Sequence, residues 1–317
     1  MSLAKSGFSL IAPSGHRGRL SILIFHRVLA APDPMLPEEP DAREFAERMG
    51  FLAQAFNVLP LSEAVGRLAE RDLPAAAAAI TFDDGYADNY RVALPILRHF
   101  RLPATIFVSS GFLDGGRMWN DTVTEAVRHA TGGVLDLDAL DLGVHPVRSN
   151  DERRRAVAHL LQRLKYRPQD DRQKAVDEIA AIATRSLPED LMLSSDELRA
   201  LAAAGVGVGA HTVSHPILAQ LEPSTARQEI VDGGRALTEI LGKKIDLFAY
   251  PNGTPGKDFG PAHVQMVQDA GYAAAVTTGR GVARAGSDVY QLPRFTPWDR
   301  SNMKFGVRLA QNALGLL

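Results

Sequence analysis

The sequence predicts an α/β fold built on a parallel sheet, and three observations predict it. Apolar runs of strand length alternate with amphipathic helical stretches along most of the 317 residues, the pattern of repeated βαβ units. The strand-like runs are apolar at successive positions, as expected of parallel strands covered on both faces. Finally, His26, Asp83, Asp84, His211 and the Pro251-Asn252-Gly253 turn each follow one of those runs. In a closed β/α barrel the C-terminal ends of the strands meet on one face, where such barrels carry their chemistry.

Residues 20–25 (Leu-Ser-Ile-Leu-Ile-Phe) read as the first buried strand, ending at His26-Arg27. A loop with Pro32, Pro34, Pro37 and Pro40 follows. Asp41, with Glu44 three positions on, starts a helix in the manner of a capping box, and Phe45, Met49, Leu52 and Phe56 mark its apolar face. Val58-Leu59 is a short strand, and Ser62 opens a helix to about Glu70. Residues 78–82 form a buried strand that stops at Asp83-Asp84-Gly85, where glycine permits a sharp turn. The helix over 89–100 carries Pro95, which is expected to kink it. Residues 104–108 are another buried strand.

Residues 111–193 break the alternation. They are charged and mostly helical, with a Ser149/Glu152 capping box ahead of Val157, Leu160, Leu161 and Leu164 at helical spacing. This stretch reads as a solvated helical insertion. Alternation resumes with a helix over 195–204 closed by Gly205 and a small-residue strand over 206–210 that delivers His211. A helix ending near Leu241-Gly242, a strand over 247–250, a helix over 261–270 stopped by Gly271 and a strand over 273–277 follow. The last helix, near 302–314, is expected to pack against the body rather than to anchor in a membrane. The predicted organisation is an N-terminal extension over 1–19 and a single domain over 20–317 with the insertion inside it.

A formal net charge of -2 argues against a nucleic-acid footprint. The absence of cysteine removes disulfides and thiolate metal sites. No apolar run is long enough to span a bilayer, so stable membrane insertion is not expected. Residues 1–18 lack the apolar region of a signal peptide, so a cytoplasmic location is the default expectation. Composition leaves the oligomeric state open.

Two adjacent aspartates repel each other, so folding alone gives no reason to put them at a strand end; a cation or a proton-transfer role does. The alternative is that Asp83 or Asp84 caps the helix that follows. Thr81-Phe82-Asp83-Asp84-Gly85 resembles the first motif of the polysaccharide deacetylases, the NodB-homology fold of carbohydrate esterase family 4. His211-Thr212-Val213-Ser214-His215 is similar to that family's second motif, and the resemblance covers roughly residues 20–278. Leu23-Ile24-Phe25-His26 resembles Leu-x-Phe-His of the circularly permuted branch, which includes deacetylases of poly-N-acetylglucosamine. The resemblance implies a distorted, incomplete (β/α) barrel of about seven parallel strands.

Asp84, His211 and His215 can supply a facial triad of one carboxylate and two imidazoles with open coordination positions. Zinc is the default ion for this set, and cobalt, nickel or iron also suit it. Pro216 disfavours helical conformation at His215, so a tight loop is expected there. His129, His145, His159 and His263 read as structural. The chemistry that fits is metal-assisted amide hydrolysis, with Asp83 as the base that takes a proton from water. The family's third motif, Arg-x-Pro-Tyr, supplies a backbone donor to the oxyanion. Here it is matched by Ala249-Tyr250-Pro251-Asn252, so the donor at Asn252 survives while the groove wall changes. A plain turn is the alternative for this stretch.

The family's late Leu-x-His motif is replaced by Leu292-Pro293-Arg294, and Trp298-Asp299 does not match the fourth motif. His26 is therefore the candidate for the acid that protonates the leaving amine. Trp119 either stacks on a sugar ring or packs beneath a helix start capped by Asn120 or Asp121. The function this implies is removal of N-acetyl groups from an N-acetylated sugar polymer or glycan precursor. Hydrolysis of a non-sugar linear or cyclic amide, and a catalytically silent carbohydrate-binding domain, are the rivals. Retention of all of Asp83, Asp84, His211 and His215 counts against the silent domain.

Overall fold

The computed structural model describes residues 3–184, 186–297 and 301–316. The Trp298-Asp299 pair lies outside the described residues. In chain order the elements are α1 (Leu3–Ile11), β1 (Arg19–Phe25), α2 (Ala42–Ala55), β2 (Asn57–Val58), α3 (Leu61–Glu70), β3 (Ala77–Phe82), α4 (Leu94–Phe100) and β4 (Thr105–Val108). There follow α5 (Trp119–His129), β5 (Val134–Asp136), β6 (Val144–Pro146), α6 (Asn150–Leu164), α7 (Gln169–Ala183), α8 (Ser195–Ala203) and β7 (Gly207–Ala210). The chain closes with α9 (Pro223–Leu241), β8 (Leu247–Ala249), α10 (Pro261–Asp269), β9 (Ala274–Val276), β10 (Ala283–Arg284) and α11 (Asn302–Leu314).

The chain divides into two compact units. Unit 1 comprises Met1–Ala31, Glu38–Asp114 and Leu193–Leu317; unit 2 comprises Pro32–Pro37 and Gly115–Met192. The sheet of unit 1 runs in the order β10-β1-β3-β4-β7-β8-β9, with β2 paired to the start of β3. β10 meets β1 antiparallel and the other pairings are parallel. The sheet curls into the incomplete barrel expected of a NodB-type fold. Residues 292–295 bridge its seam: Leu292 exchanges backbone bonds with Ala275 and Thr277 beside β9, and Phe295 does so with Ile22 and Ile24 of β1.

Strand alternation decides which side chains enter the barrel. Leu20 and Ile22 of β1, Ala77 and Ala79 of β3, Phe107 of β4, Ala249 of β8 and Val276 of β9 form one buried cluster, the barrel interior. Continuing the same parity puts His26, Thr81, Asp83, Ser109 and His211 on that inner side, at the C-terminal rim. The opposite parity (Leu23, Phe25, Ile80, Phe82, Ile106, Val108) packs against the helices, where the Phe25, Phe45 and Phe82 rings meet at 5.3–5.8 Å between centroids. Each such buried ring stabilises the fold by roughly 1.5–3 kcal/mol.

Local signals explain the element ends. Asp41 accepts from Glu44 N–H, and Ser194 and Ser149 form full capping boxes with Glu197 and Glu152. Pro95, expected to kink the helix over 89–100, falls where that helix changes type. Residues 89–93 form a π turn, and Pro95 sits in the first turn of α4, where no N–H is needed. The N-terminal extension holds a helix, α1, that periodicity had not marked. Unit 2 is built on α5, α6 and α7 but also contains an antiparallel pair, β5 with β6, that its charged composition concealed. In that pair only Leu135 is buried, docked on the cluster of Val123, Val127, Leu160 and Ile179.

Candidate functional site

Two loops at the C-terminal rim of unit 1 bring Asp84, His211 and His215 together. After β3 the chain turns through Asp84 and Gly85 at φ 75 and 94, which swings Asp84 away from its neighbour Asp83. After β7 the loop passes through positive φ at Thr212 (67) and His215 (54), the tight non-helical path expected before Pro216. One ligand atom from each of the three residues lies within 4.8 Å of the others. Asp84 Oδ1 is 3.4 Å from Nε2 of both histidines. It is buried and has no hydrogen-bond partner, an arrangement that costs a few kcal/mol unless something else occupies it.

These residues fit a divalent cation. Two ligands ~2.0–2.1 Å from a tetrahedral ion lie about 3.3–3.4 Å apart, which matches the spacing of the partnerless oxygen and the two ring nitrogens. His211 Nδ1 is 2.7 Å from Ala249 O; a carbonyl only accepts, so Nδ1 carries a proton and Nε2 is the atom turned toward Asp84 and available to a cation once deprotonated. Burial pushes His215 down, outweighing the pull of Asp84, to about 4, so its ring is neutral near pH 7. Burial pushes Asp84 up, but His215 and His211 outweigh it and hold the carboxyl well below the usual range. His211 is lowered by burial and raised more by Asp83 and Asp84, ending above the ordinary imidazole value.

Asp83 is held differently. Its side chain is 3% exposed and receives a two-pronged ion pair from Arg294, whose side chain is 0% exposed: Nη1 to Oδ1 at 2.7 Å and Nη2 to Oδ2 at 2.6 Å. Arg294 also donates from Nε to Thr277 O and from Nη1 to Thr81 Oγ1. Burial raises the Asp83 carboxyl, yet Arg294 and then His211 outweigh it, so it stays ionised below its ordinary pKa. Asp83 Oδ2 remains 3.9 Å from His211 Nε2, beside the candidate metal cluster but outside it.

His26 is half-buried at the end of β1. Its ring is near enough to influence Asp83, Asp84 and His215 electrostatically without belonging to their cluster. Its carbonyl accepts from Asn89 Nδ2 at 2.9 Å, and Asp88 takes Arg27 Nε at 2.8 Å and Val28 N–H at 3.1 Å. The turn after β3 thereby pins the backbone on which His26 stands.

The expected groove residues divide. Asn252 sits half-buried in left-handed conformation (φ 58) at the end of β8, and its N–H is not consumed by the turn's own bond from Gly253 N–H to Pro251 O. Pro251 is buried. Tyr250 corrects the sequence reading: it is fully buried, its ring stacks on Phe259 at 3.8 Å and its hydroxyl donates to Tyr290 O, so it belongs to the core and walls no groove. Strand parity is the reason, since Tyr250 follows Phe248 onto the helix-facing side. Trp119 begins α5 in unit 2, capped by Met118 and not by Asn120 or Asp121. Its ring packs on the unit 2 cluster with the Arg172 guanidinium 4.9 Å above it.

Two contributors escaped sequence reasoning. Arg294 was visible only as the arginine of Leu292-Pro293-Arg294; its place in the barrel seam is a tertiary fact. Glu229 on α9 matched no motif. Its carboxylate accepts from Val213 N–H and Ser214 N–H, each at 2.9 Å, and from Ser214 Oγ at 2.6 Å, which ties down the strained histidine loop. α9 comes this close because Gly233 has no side chain; a Cβ there would lie 2.7 Å from the Thr212 carbonyl.

The family model described as polysaccharide deacetylase matches residues 70–132 and 152–275, more than half of the chain. A Bacillus subtilis (strain 168) protein, putative polysaccharide deacetylase YxkH, is 20% identical over 278 residues, covering 87% of this chain and 70% of that one. Among solved structures, IcaB from Ammonifex degensii superposes with a TM-score of 0.62 at 22% identity, covering 96% of this chain and 98% of that one. The Streptococcus pyogenes deacetylase PplD, in complex with acetate, superposes with a TM-score of 0.61 at 20% identity, covering 93% and 98%.

Proposed function

The chain belongs to the polysaccharide deacetylase family, and on that premise we propose that it is a metal-dependent hydrolase that removes N-acetyl groups from an N-acetylated sugar polymer or glycan precursor. The observation that carries this reading is the buried, partnerless Asp84 oxygen set between two imidazole nitrogens, with Asp83 held ionised beside it. A divalent cation bound by Asp84, His211 and His215, with zinc the first choice, would polarise the acetamide carbonyl and make a nearby water more acidic.

The chain's own residues account for the remaining proton traffic. Asp83 accepts the proton of the attacking water; Arg294 fixes its plane and keeps it charged. The carbonyl oxygen gains negative charge as the water adds, and the Asn252 N–H is the candidate donor to it. The C–N bond breaks only if nitrogen is protonated, because an amide anion is too basic to leave. His26 is the assigned donor, and the Asp88 and Asn89 contacts orient it. Ala249 stands where the family has arginine; its carbonyl orients His211, and the guanidinium that reaches Asp83 is that of Arg294.

The test is metal analysis of the purified protein together with acetate release from a panel of acetylated glycans and non-sugar amides. The reading expects one divalent ion per chain, acetate from glycans and loss of release on chelation. Chelator-insensitive release, or turnover confined to non-sugar amides, would refute it.

A further inference from the structure

α11 is apolar on two faces. Phe305, Leu309 and Ala313 are buried against the body of unit 1, whereas Met303, Val307 and Leu314 are 77%, 54% and 46% exposed. Leu316, just beyond the C-cap at Gly315, is 70% exposed, and Leu10 on α1, which packs beside α11, is 84% exposed. Among the described residues, half of the exposed large apolar side chains gather on these two terminal helices and the residue just past α11. A helix at a protein surface normally turns a polar face outward, so an apolar outward stripe calls for cover.

Charge decides what covers it. Residues 1–19 contain Lys5, Arg17 and Arg19 and no carboxylate; residues 300–317 contain Arg300, Lys304 and Arg308 and again none. This is an acid-free region in a chain of net charge -2. On α2, which packs against both helices, Glu44 and Glu47 are already matched by Arg48 and Arg43 at 3.9 and 3.1 Å. Arg19 adds its guanidinium to the C-terminal end of α11, donating to Ala313 O. A second copy docked on this face would bring the exposed Lys304 and its like-charged neighbours against themselves, because neither terminal segment carries an Asp or Glu. An anionic bilayer surface suits both features: the apolar side chains enter the headgroup–acyl boundary while the cations stay at headgroup level.

We propose that the paired outer faces of α1 and α11 bind an anionic lipid surface. No described helix is long and apolar enough to cross the membrane, so the contact is peripheral. It stands apart from the catalytic reading, because none of these residues belongs to the metal cluster or its neighbours.

The experiment is co-sedimentation of the full chain with vesicles of pure phosphatidylcholine and of phosphatidylcholine with phosphatidylglycerol. Binding is expected to the anionic vesicles only and to weaken with salt. Lys304→Glu should reduce partitioning by at least about fivefold, the effect of one cation at such a surface. Met303→Gln with Val307→Gln should reduce it similarly, with the melting temperature and metal content of both variants unchanged. Equal binding to neutral vesicles, or no binding to either, overturns the proposal. So does a concentration-dependent dimer in sedimentation equilibrium that the Met303→Gln/Val307→Gln variant abolishes, which would make the face a self-association surface.

Discussion

Arg294→Met is the most informative single change. It removes a guanidinium whose side chain is 0% exposed and leaves Asp83, 3% exposed, with no cation of fixed charge beside it. Breaking a buried ion pair from one side costs about 3–5 kcal/mol, because the remaining charge is stranded. Asp83 can escape part of that cost only by taking up a proton. In the intact protein burial raises the Asp83 carboxyl, and Arg294 is the largest influence lowering it. Without Arg294 the raising influence dominates and the pKa climbs. The sign follows: a carboxylate whose folded pKa is depressed serves as a base down to low pH, whereas one whose pKa is raised loses that role as pH falls through the new value. Acetate release should therefore fall by about 10²–10⁴-fold at neutral pH, and the acidic limb of the pH–rate profile should move upward. The melting temperature should drop by on the order of 10 °C. Asp83→Asn/Arg294→Met should regain stability relative to Arg294→Met while remaining inactive, since it no longer buries a lone charge. An Arg294→Met enzyme with unchanged turnover and an unshifted acidic limb would refute the reasoning.

The two aspartates should separate cleanly: Asp83→Asn retains metal and loses most turnover, while Asp84→Asn loses metal, read by elemental analysis beside acetate release. His26→Ala should lower turnover by about 10²–10⁴-fold with metal content intact; an unchanged rate on an amide substrate would return the acid role to Asp83. Glu229→Gln should weaken metal binding by about 10–100-fold without unfolding the protein, measured by competition with a chromogenic chelator, because the histidine loop loses its charged anchor. Metal affinity of the stripped protein should fall with acidification from above the usual imidazole range. His211 is raised there and must lose its proton to bind, so a chelator-competition titration that stays flat until the ordinary value contradicts that assignment.

Local chemistry settled a large part of this protein in advance. Apolar runs of strand length, the capping box at Ser149 and the stop at Asp83-Asp84-Gly85 depend on neighbours within a few residues, so they are legible in the chain itself. The parallel sheet, the strand-end placement of His26, Asp83, Asp84 and His211, and the non-helical loop before Pro216 were all readable for that reason. The cluster of Asp84, His211 and His215 was legible too, because its two histidines are four residues apart and the aspartate follows a strand. What lay beyond the sequence required distant segments to meet. The barrel seam brings Arg294 across 211 positions to Asp83, Gly233 lets Glu229 reach the histidine loop, and strand parity turns Tyr250 into the core. No spacing rule encodes those meetings, since a sheet's curl and a helix's approach are set by packing over the whole unit; tertiary structure alone decided how the carboxylate beside the metal cluster is held.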